Sequence, residues 1–306
     1  MSDEVTWVLT ASNMPDCVAS AAFAQVVFGY TPVFVPHTTE FNKIEDVFAA
    51  LHDCRKNDIL FIIGSFWKNS LKLLSDYFAN VKIYAFGDEI KNDFASNINI
   101  YRDISKRGAI DWIYNVSIGL DNSRQELVKS FMNSNKEILD KCNKRCFGAG
   151  DYDVQVLFTG VYALAENGNL FQVFVDLFTH TINYNDVISR GKMLIENHQQ
   201  IAAERARKNS KLVTLRNGKK AIMTEGPELI NFTHEALMKH HKEAEYTIVV
   251  RYQFAPDDNT DDKLCLSIRT INPSNNAMEL LLGCENAGGS NTAAGGQINT
   301  KFDLHL

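Results

Sequence analysis

The chain has 306 residues, of which 45% are hydrophobic and 22% charged, and its formal net charge is −6. This length and apolar content exclude a disordered or fibrous protein and suffice for two domains with buried cores. The acidic balance excludes a general electrostatic attraction to nucleic acid, so any anion site has to be local.

The first part of the chain alternates short apolar runs with helical patterns. The predicted strands are residues 5–10, 32–36, 59–64 and 81–86, and the predicted helices are residues 16–28, 43–55 and 70–79. This βαβα order predicts a parallel sheet covered by helices. In open sheets of this kind, ligands bind beyond the carboxyl ends of the strands. The segments after Thr10, Gly64 and Phe86 are therefore the first places to search for a site.

The middle of the chain is mostly helical. Apolar residues recur at helical spacing between residues 103 and 186, which completes the first domain. Residues 185–209 continue as a long, increasingly polar helix of the kind that connects domains. We therefore predict an α/β domain over residues 1–184, a helical connector over residues 185–209 and a second domain over residues 210–306.

The second domain opens with a hairpin signal. Asn217 and Gly218 lie between two predicted strands, and both residue types tolerate the positive φ of a two-residue turn. The remaining predicted elements are a helix over residues 227–241, strands over 246–254 and 264–270, a helix near 275–282 and a last strand over 297–304. This order predicts an α+β domain.

A run of small residues precedes the predicted last strand. Residues 283–296 read Gly-Cys-Glu-Asn-Ala-Gly-Gly-Ser-Asn-Thr-Ala-Ala-Gly-Gly. We predict a loop whose main-chain N–H groups converge on an anion, and whose alanines start a helix with its positive end at the same spot. The alternative interpretation is a flexible surface loop without a ligand.

This two-domain order resembles the DHH phosphoesterase superfamily with its associated C-terminal domain, over nearly the whole chain. That superfamily includes oligoribonucleases and cyclic-dinucleotide phosphodiesterases, and its C-terminal glycine loop binds substrate phosphate. The residues that carry the resemblance in the second domain are Ser267, Arg269, Gly288, Gly289, Ala293, Ala294 and Gly295. Ser290 stands where the family has a histidine. The resemblance implies a Rossmann-like parallel-sheet domain followed by a smaller α+β domain.

The metal-binding motifs of the family are altered in the first domain. Its His-x-x-x-Asp-x-Asp motif resembles residues 10–16, where Asp16 is retained but Thr10 replaces the histidine and Met14 replaces the first aspartate. A second metal-binding aspartate of the family falls at or beside Gly64. The first domain therefore resembles the family more closely at the residues around the metal ligands than at the ligands themselves.

The triplet Asp-His-His that names the family is also replaced. Its place is taken by Ala85, Phe86 and Gly87. Two further family motifs resemble Lys106, Arg107, Gly108, Ala109 and Trp112, and then Asn133, Ser134 and Asn135. Two-metal phosphodiester hydrolysis needs carboxylates and imidazoles that hold both ions. The resemblance therefore implies a degenerate centre, with no catalytic residue, no bound metal and no cofactor.

Displaced carboxylates offer an alternative. Asp88 and Glu89 follow the replaced triplet, and with Asp16 and Asp103 they provide oxygen ligands for a single magnesium ion. Capping of the helix that follows is the favoured interpretation of Asp88 and Glu89. Under the metal-binding alternative the protein is an active phosphodiesterase that uses manganese or magnesium to hydrolyse short RNA or a cyclic dinucleotide.

We expect a catalytically degenerate protein that binds the phosphate of a nucleotide or short oligonucleotide. The predicted ligand-binding residues are Arg269, Gly288, Gly289, Ser290, Asn291 and Thr292. A structural role, with a protein partner or with self-association, is the competing hypothesis. No segment combines membrane-spanning length with freedom from charge, and the first residues lack a basic leader. We therefore expect a soluble, cytoplasmic protein without a membrane partner.

Overall fold

The structure is a computed structural model with two compact units, Met1–Met193 and Leu194–Leu306. It describes residues 5–11, 15–35, 44–55, 58–63, 76, 82–86, 98–101, 109–120, 122–145, 151–165, 168–226, 230–253, 263–272 and 274–299. All but one residue of the predicted helix 70–79 lies outside the described residues. No helix in the described part of the chain is long and apolar enough to cross a membrane.

The described strands of the first unit form one parallel sheet in the order β2-β1-β3-β4-β5. The strands are β1 (Thr6–Ala11), β2 (Thr31–Val35), β3 (Ile59–Ile63), β4 (Lys82–Phe86) and β5 (Ile98–Tyr101). This arrangement confirms the predicted parallel sheet and adds β5, which the sequence pattern did not reveal. The chain runs outward to β2 and then crosses to β3, so the switch point of the sheet lies between β1 and β3.

Helices surround this sheet, and the first of them is the most deeply buried. The helices are α1 (Pro15–Phe28), α2 (Ile44–Ala50), α3 (Ala109–Leu120), α4 (Gln125–Ser134), α5 (Lys136–Arg145), α6 (Tyr152–Leu164), α7 (Leu170–Phe178) and α8 (Tyr184–Lys208). Helix α1 is rich in alanine and is buried along most of its length, because it packs against β1, α3 and α7. Its Phe23 contacts the rings of Phe28, Phe131 and Phe178 in the main core.

Two glycines let α6 and α8 cross at backbone contact. A Cβ atom at Gly160 would overlap the carbonyl oxygen of Val187, and one at Gly191 would overlap the carbonyl oxygen of Val156. Only glycine fits where two helix backbones touch in this way. The crossing attaches the first half of α8 to the first unit.

A buried carboxylate ties together the amino ends of β1 and β3. Asp58 accepts hydrogen bonds from the main-chain N–H of Val5 at 3.1 Å, from the indole Nε1 of Trp7 at 2.8 Å and from the main-chain N–H of Arg55 at 2.8 Å. Three donors compensate the cost of burying this charge. The contact lies at the opposite edge of the sheet from the carboxyl ends of the strands.

The second unit contains a mixed sheet in the order β10-β11-β9-β8-β7-β6. Its strands are β6 (Lys211–Thr214), β7 (Lys220–Glu225), β8 (Tyr246–Gln253), β9 (Lys263–Thr270), β10 (Glu285–Gly289) and β11 (Ala293–Asn299). Among the described strands of this unit, only β7 and β8 pair in parallel. The hairpin around Asn217 and Gly218 is confirmed, but its turn is not the predicted two-residue turn: φ is positive, at 78°, for Gly218 and not for Asn217. The Gly218 N–H donates to the Leu215 carbonyl oxygen and the Leu215 N–H to that of Lys219, so the loop has three residues.

The two faces of this sheet are covered by different elements. Helix α9 (Ile230–His240) covers one face through Leu237, which packs with Val249 and Ile222. A 3₁₀ turn at Ala277–Leu281 covers part of the other face. The prediction of a helix near residues 275–282 is therefore corrected to this short 3₁₀ turn.

The glycine-rich segment is a β hairpin, so the prediction of a loop that starts a helix was wrong. Ala293 and Ala294 pair with Arg269 and Ile268 of β9 and belong to strand β11. Strand β10 then pairs back onto β11. The register with β9 extends over all seven residues of β11, and this pairing outweighs the poor strand propensity of glycine and alanine.

Candidate functional site

The carboxyl ends of the first-unit strands bring together two of the positions that resemble the family's metal motifs. The register aligns one residue from each strand in a single row, in the order Phe34, Thr10, Ile63, Phe86 and Tyr101. By the family resemblance, Thr10 stands in the place of a histidine and Phe86 in the middle of the Asp-His-His triplet. The fold thus assembles these positions at the edge where open sheets bind ligands.

The residue types in this row do not fit a pair of divalent cations. Thr10 is fully buried, and its Oγ1 lies 3.4 Å from the carbonyl oxygen of Ile63, to which it can donate. Asp16 lies in the first turn of α1, at the same edge. The described residues contain no group of three or more histidine, cysteine, aspartate or glutamate side chains that could hold a metal ion. Hydroxyl, aliphatic and aromatic groups cannot replace bridging carboxylates.

Several residues of the predicted metal region lie outside the described residues. They are Met14, Gly64, Gly87, Asp88, Glu89 and Asp103. The choice between helix capping and metal binding for Asp88 and Glu89 therefore stays a prediction.

The downstream motif residues that are described have packing contacts. Trp112 of α3 is buried and meets the ring of Phe61 edge-on, at 5.5 Å between centroids. Asn135 is buried between α4 and α5, and its Nδ2 lies 3.3 Å from the carbonyl oxygen of Phe131 and 3.4 Å from that of Phe178. These contacts give both residues a structural role in the core of the first unit.

In the second unit, Arg269 and Ser267 lie on the same side of β9. They are two residues apart on a strand, so their side chains leave the same face. Arg269 Nη2 donates to Asn231 Oδ1 at 2.6 Å, which places the guanidinium beside the first turn of α9. A positive side chain and a hydroxyl therefore lie together on the face that α9 partly covers.

The neighbouring strands present almost no side chain on this face. Ala293 pairs with Arg269, Gly295 pairs with Ser267, and Gly288 of β10 pairs with Gly295. A Cβ atom at Gly288 would find no other atom within 4 Å. We call Gly288, Ala293 and Gly295 the small-residue floor. A ligand on this floor can approach the main chain closely while it contacts Arg269 and Ser267.

The next predicted ligand-binding residues close the hairpin. Gly289 has a φ of 134°, and a Cβ atom there would overlap the carbonyl oxygen of Ala293. The Ser290 N–H donates to the same carbonyl at 2.7 Å, and the Ser290 Oγ accepts from the Ala293 N–H at 3.2 Å. Local turn geometry therefore accounts for Gly289 and Ser290, and a ligand contact by either residue stays a prediction.

The tip of the hairpin is also anchored to the rest of the second unit. The carbonyl oxygen of Asn291 accepts from the Ala277 N–H at 2.6 Å, and that of Thr292 accepts from the Thr270 N–H at 3.0 Å. These bonds hold the hairpin against β9 and the 3₁₀ turn. Arg269 and Gly288 are thus the predicted site residues that the structure brings onto one open face.

A buried histidine between α9 and this face of the sheet was missed by the sequence interpretation. His234 of α9 is fully buried; its Nδ1 lies 2.7 Å from Thr247 Oγ1, and its Nε2 lies 3.0 Å from Ser267 Oγ. Burial and the nearby charge of Arg269 lower its pKa to about 3. The signal was the stripe of Ile230, His234 and Leu237 at helical spacing, which places the histidine on the inward face of α9.

Solved structures share this architecture. Exonuclease RecJ bound to manganese aligns with a TM-score of 0.50 and 12% identity, over 97% of this chain and 86% of that chain. The DHH domain of a member of a family of ribosomal proteins aligns with a TM-score of 0.50 and 12% identity, over 95% of this chain and 82% of that chain. CDC45 from Entamoeba histolytica aligns with a TM-score of 0.47 and 10% identity, over 97% of this chain and 93% of that chain.

The first two alignments show that this chain has the fold of the DHH superfamily. Its Rossmann-like α/β unit is followed by a smaller α+β unit, as the resemblance in the sequence implied. No protein-family model matches the sequence. A search of curated proteins finds no match either.

Proposed function

We propose that this protein is a catalytically degenerate DHH-fold protein that binds the phosphate of a nucleotide or short oligonucleotide through its second unit. One observation carries the proposal: Arg269 and Ser267 leave the same face of β9 beside the small-residue floor. A phosphate on this floor would meet a cation and a hydroxyl, with little side-chain bulk in the way.

The chemistry of these groups favours an oxyanion. A guanidinium presents several N–H donors in one plane, a geometry that matches two oxygens of a phosphate. Asn231 holds Arg269 through Nη2, so part of the cost of ordering this long side chain is met before a ligand arrives. Asn231 lies in the first turn of α9, where the helix dipole also favours negative charge. The overall charge of −6 makes this local cation more important for attracting an anion.

The proposed absence of catalysis is supported by the row of residues at the carboxyl ends of the first-unit strands. Thr10, Ile63 and Phe86 supply neither a carboxylate nor an imidazole at aligned positions. Hydrolysis by two metal ions depends on such groups. We therefore propose that the protein binds its ligand and does not hydrolyse it.

Calorimetry with mono- and dinucleotides tests the binding role. We expect measurable affinity for the wild-type protein and a loss of roughly 10- to 100-fold in Arg269→Ala, because a hydrogen bond to a charged group contributes about 1.5–3 kcal/mol. Arg216→Ala is the matched control, since Arg216 lies in the turn between β6 and β7 at the opposite edge of the sheet. Equal affinity of wild type and Arg269→Ala would count against the proposal.

The second candidate is an active metal-dependent phosphodiesterase, favoured by the retention of Asp16 in the first turn of α1. Incubation with Mn²⁺ and a labelled dinucleotide distinguishes the two. Turnover that Asp16→Asn abolishes would establish this second candidate. A protein that neither binds nor hydrolyses the dinucleotide would instead favour a scaffold that contacts a protein partner or a second copy of itself.

A further inference from the structure

His234 connects the interior of the second unit to the proposed phosphate site. The imidazole is enclosed between Thr247 of β8 and Ser267 of β9, with its two nitrogens at hydrogen-bond distance from the two hydroxyl groups. Thr247 pairs with Arg269 in the sheet, so the histidine lies on the same face of the sheet as the guanidinium.

The distances favour one assignment of donors and acceptors around His234. Thr247 Oγ1 lies 2.7 Å from His234 Nδ1, whereas its 3.5 Å distance to the carbonyl oxygen of Arg269 is long for an O–H···O hydrogen bond, so we assign its proton to the bond with the nitrogen. Nδ1 then accepts, and the single N–H of a neutral imidazole is on Nε2. Nε2–H therefore donates to Ser267 Oγ at 3.0 Å.

This order of donors leaves the proton of the Ser267 hydroxyl for another acceptor. Within the described parts of the second unit, no recorded hydrogen bond gives this hydroxyl an acceptor besides His234. Gly295 lies directly opposite Ser267 on β11, and Arg269 lies two residues along β9. A ligand atom that approaches Ser267 over the small-residue floor thus meets an O–H donor next to a guanidinium.

We infer that His234 is a positioning residue that makes Ser267 a hydrogen-bond donor, so that the site selects unprotonated phosphate oxygens over ligand groups that themselves donate. The inference rests on the proposed function, because it specifies the chemistry of the same site. Two donors of different kinds, the guanidinium and the hydroxyl, then converge on one oxyanion. A primary amine or an amide N–H at this place would leave the Ser267 proton without an acceptor and would lie beside the positive guanidinium.

Binding of 5′-phosphorylated diadenylate to the full chain tests the inference. We expect Ser267→Ala and His234→Leu each to weaken binding about tenfold, as for loss of one hydrogen bond to a charged group. We expect the double variant also to lose about tenfold, since both changes remove the same bond. A double variant that loses about a hundredfold, or His234→Leu that binds like wild type, would overturn the inference.

Two further variants separate positioning from folding. His234→Gln keeps an N–H donor toward Ser267 and should recover most of the affinity that His234→Leu loses. Thr247→Val keeps the shape beside the imidazole but removes the proton that holds Nδ1 as an acceptor, and it should weaken binding several-fold. Thermal unfolding identifies any variant that has lost its fold. Failure of His234→Gln to bind better than His234→Leu, when both are folded, would contradict the positioning role.

A spectroscopic measurement distinguishes failure of the inference from failure of the proposed function. The ¹⁵N shifts of His234 in the ligand-free protein should report a proton on Nε2, and a proton on Nδ1 would overturn the inference by itself. Binding that needs Arg269 but shows additive losses for Ser267 and His234 overturns the inference alone. Absence of binding by the wild-type protein overturns both.

Discussion

The carboxyl ends of the first-unit strands and the α9 face of the second unit differ in what they keep of a DHH-type protein. In the first unit the strands align the expected positions, but Thr10, Ile63 and Phe86 occupy them. In the second unit Ser267 and Arg269 remain, beside a floor without side-chain bulk. The two regions show that packing and chemistry are separable, because the same alignment of strands can present residues of very different chemistry.

The largest expected effect comes from disturbing the close packing of helices in the first unit. Gly191→Leu places a side chain where the backbones of α6 and α8 touch, so we expect a loss of more than about 3 kcal/mol in the free energy of unfolding. Urea denaturation measures it. Gly119→Ala is the control, because a Cβ atom there has no neighbour within 4 Å, and this variant should change stability by less than about 1 kcal/mol. Similar losses in both variants would contradict the close crossing.

The stability of the first unit depends on the buried charge of Asp58. Burial raises the pKa of this carboxyl, but the hydrogen bonds from Arg55, Trp7 and Val5 outweigh burial, so the pKa is lowered. Its stabilisation is complete above the pKa of the unfolded chain, and it is lost as the pH falls through the lower folded pKa. We expect Asp58→Asn to cost roughly 2–3 kcal/mol at neutral pH and to flatten the loss of stability below about pH 4.

Urea denaturation at pH 7 and pH 3 checks this prediction. Asp53→Asn is the matched control, because the Asp53 side chain is 72% exposed. An equal and small effect of the two substitutions would show that Asp58 does not tie β1 to β3.

His234 makes the second unit sensitive to acid in a different pH range. Its folded pKa of about 3 lies below the value of about 6.5 expected in the unfolded chain. Between these values the unfolded chain takes up a proton that the folded protein does not, so stability falls as the pH falls. The slope is at most about 1.4 kcal/mol per pH unit, which gives about 2 kcal/mol between pH 6.5 and pH 5.

The comparison of wild type with His234→Gln isolates this slope. We expect the two stability curves to converge as the pH falls from 7 to 5, because only the wild type has the buried imidazole. His52→Gln, a change at a side chain that is 73% exposed, should leave the slope close to that of wild type. Parallel curves for wild type and His234→Gln would contradict a buried neutral histidine.

The smallest effects are expected for two glycine substitutions in the hairpin. Gly289→Ala should cost about 1–2 kcal/mol, because φ is 134° and the new Cβ atom would overlap the carbonyl oxygen of Ala293. Gly288→Ala should leave stability within about 0.5 kcal/mol, since the space there is open, and yet weaken nucleotide binding several-fold. Urea denaturation and calorimetry on both variants measure the two effects. Unchanged nucleotide affinity in Gly288→Ala would exclude a ligand on the small-residue floor.

Much of the fold was predictable because the deciding signals are local. Strand β3 is buried at all five positions and has the continuous apolar run of a central parallel strand. The hairpin around Asn217 and Gly218 is marked by residue types that favour turns, and Gly218 takes the positive φ. Strands β10 and β11 lack such signals, since Gly, Ala and Asn dominate them and their pairing is imposed by β9.

The candidate site was predictable in part. Arg269 and Gly288 were found from the family resemblance, but Asn231 and His234 belong to a helix far away in sequence, and nothing local relates them to β9. The turn residues Ser290 and Thr292 were predicted as ligand contacts because a polar glycine-rich run suits both a turn and an anion site. The hydrogen bonds of the folded hairpin show which of these polar groups the turn itself uses.

Helix α8 carries a consequence for anyone who wishes to study the two units separately. Gly191 near its beginning is in contact with α6, whereas Ala206 near its end belongs to the core under α9. A fragment that stops before the helix lacks a wall of the first core, and a fragment that starts after it lacks part of the second. A fragment meant to fold as either unit therefore has to include the part of α8 that packs against it.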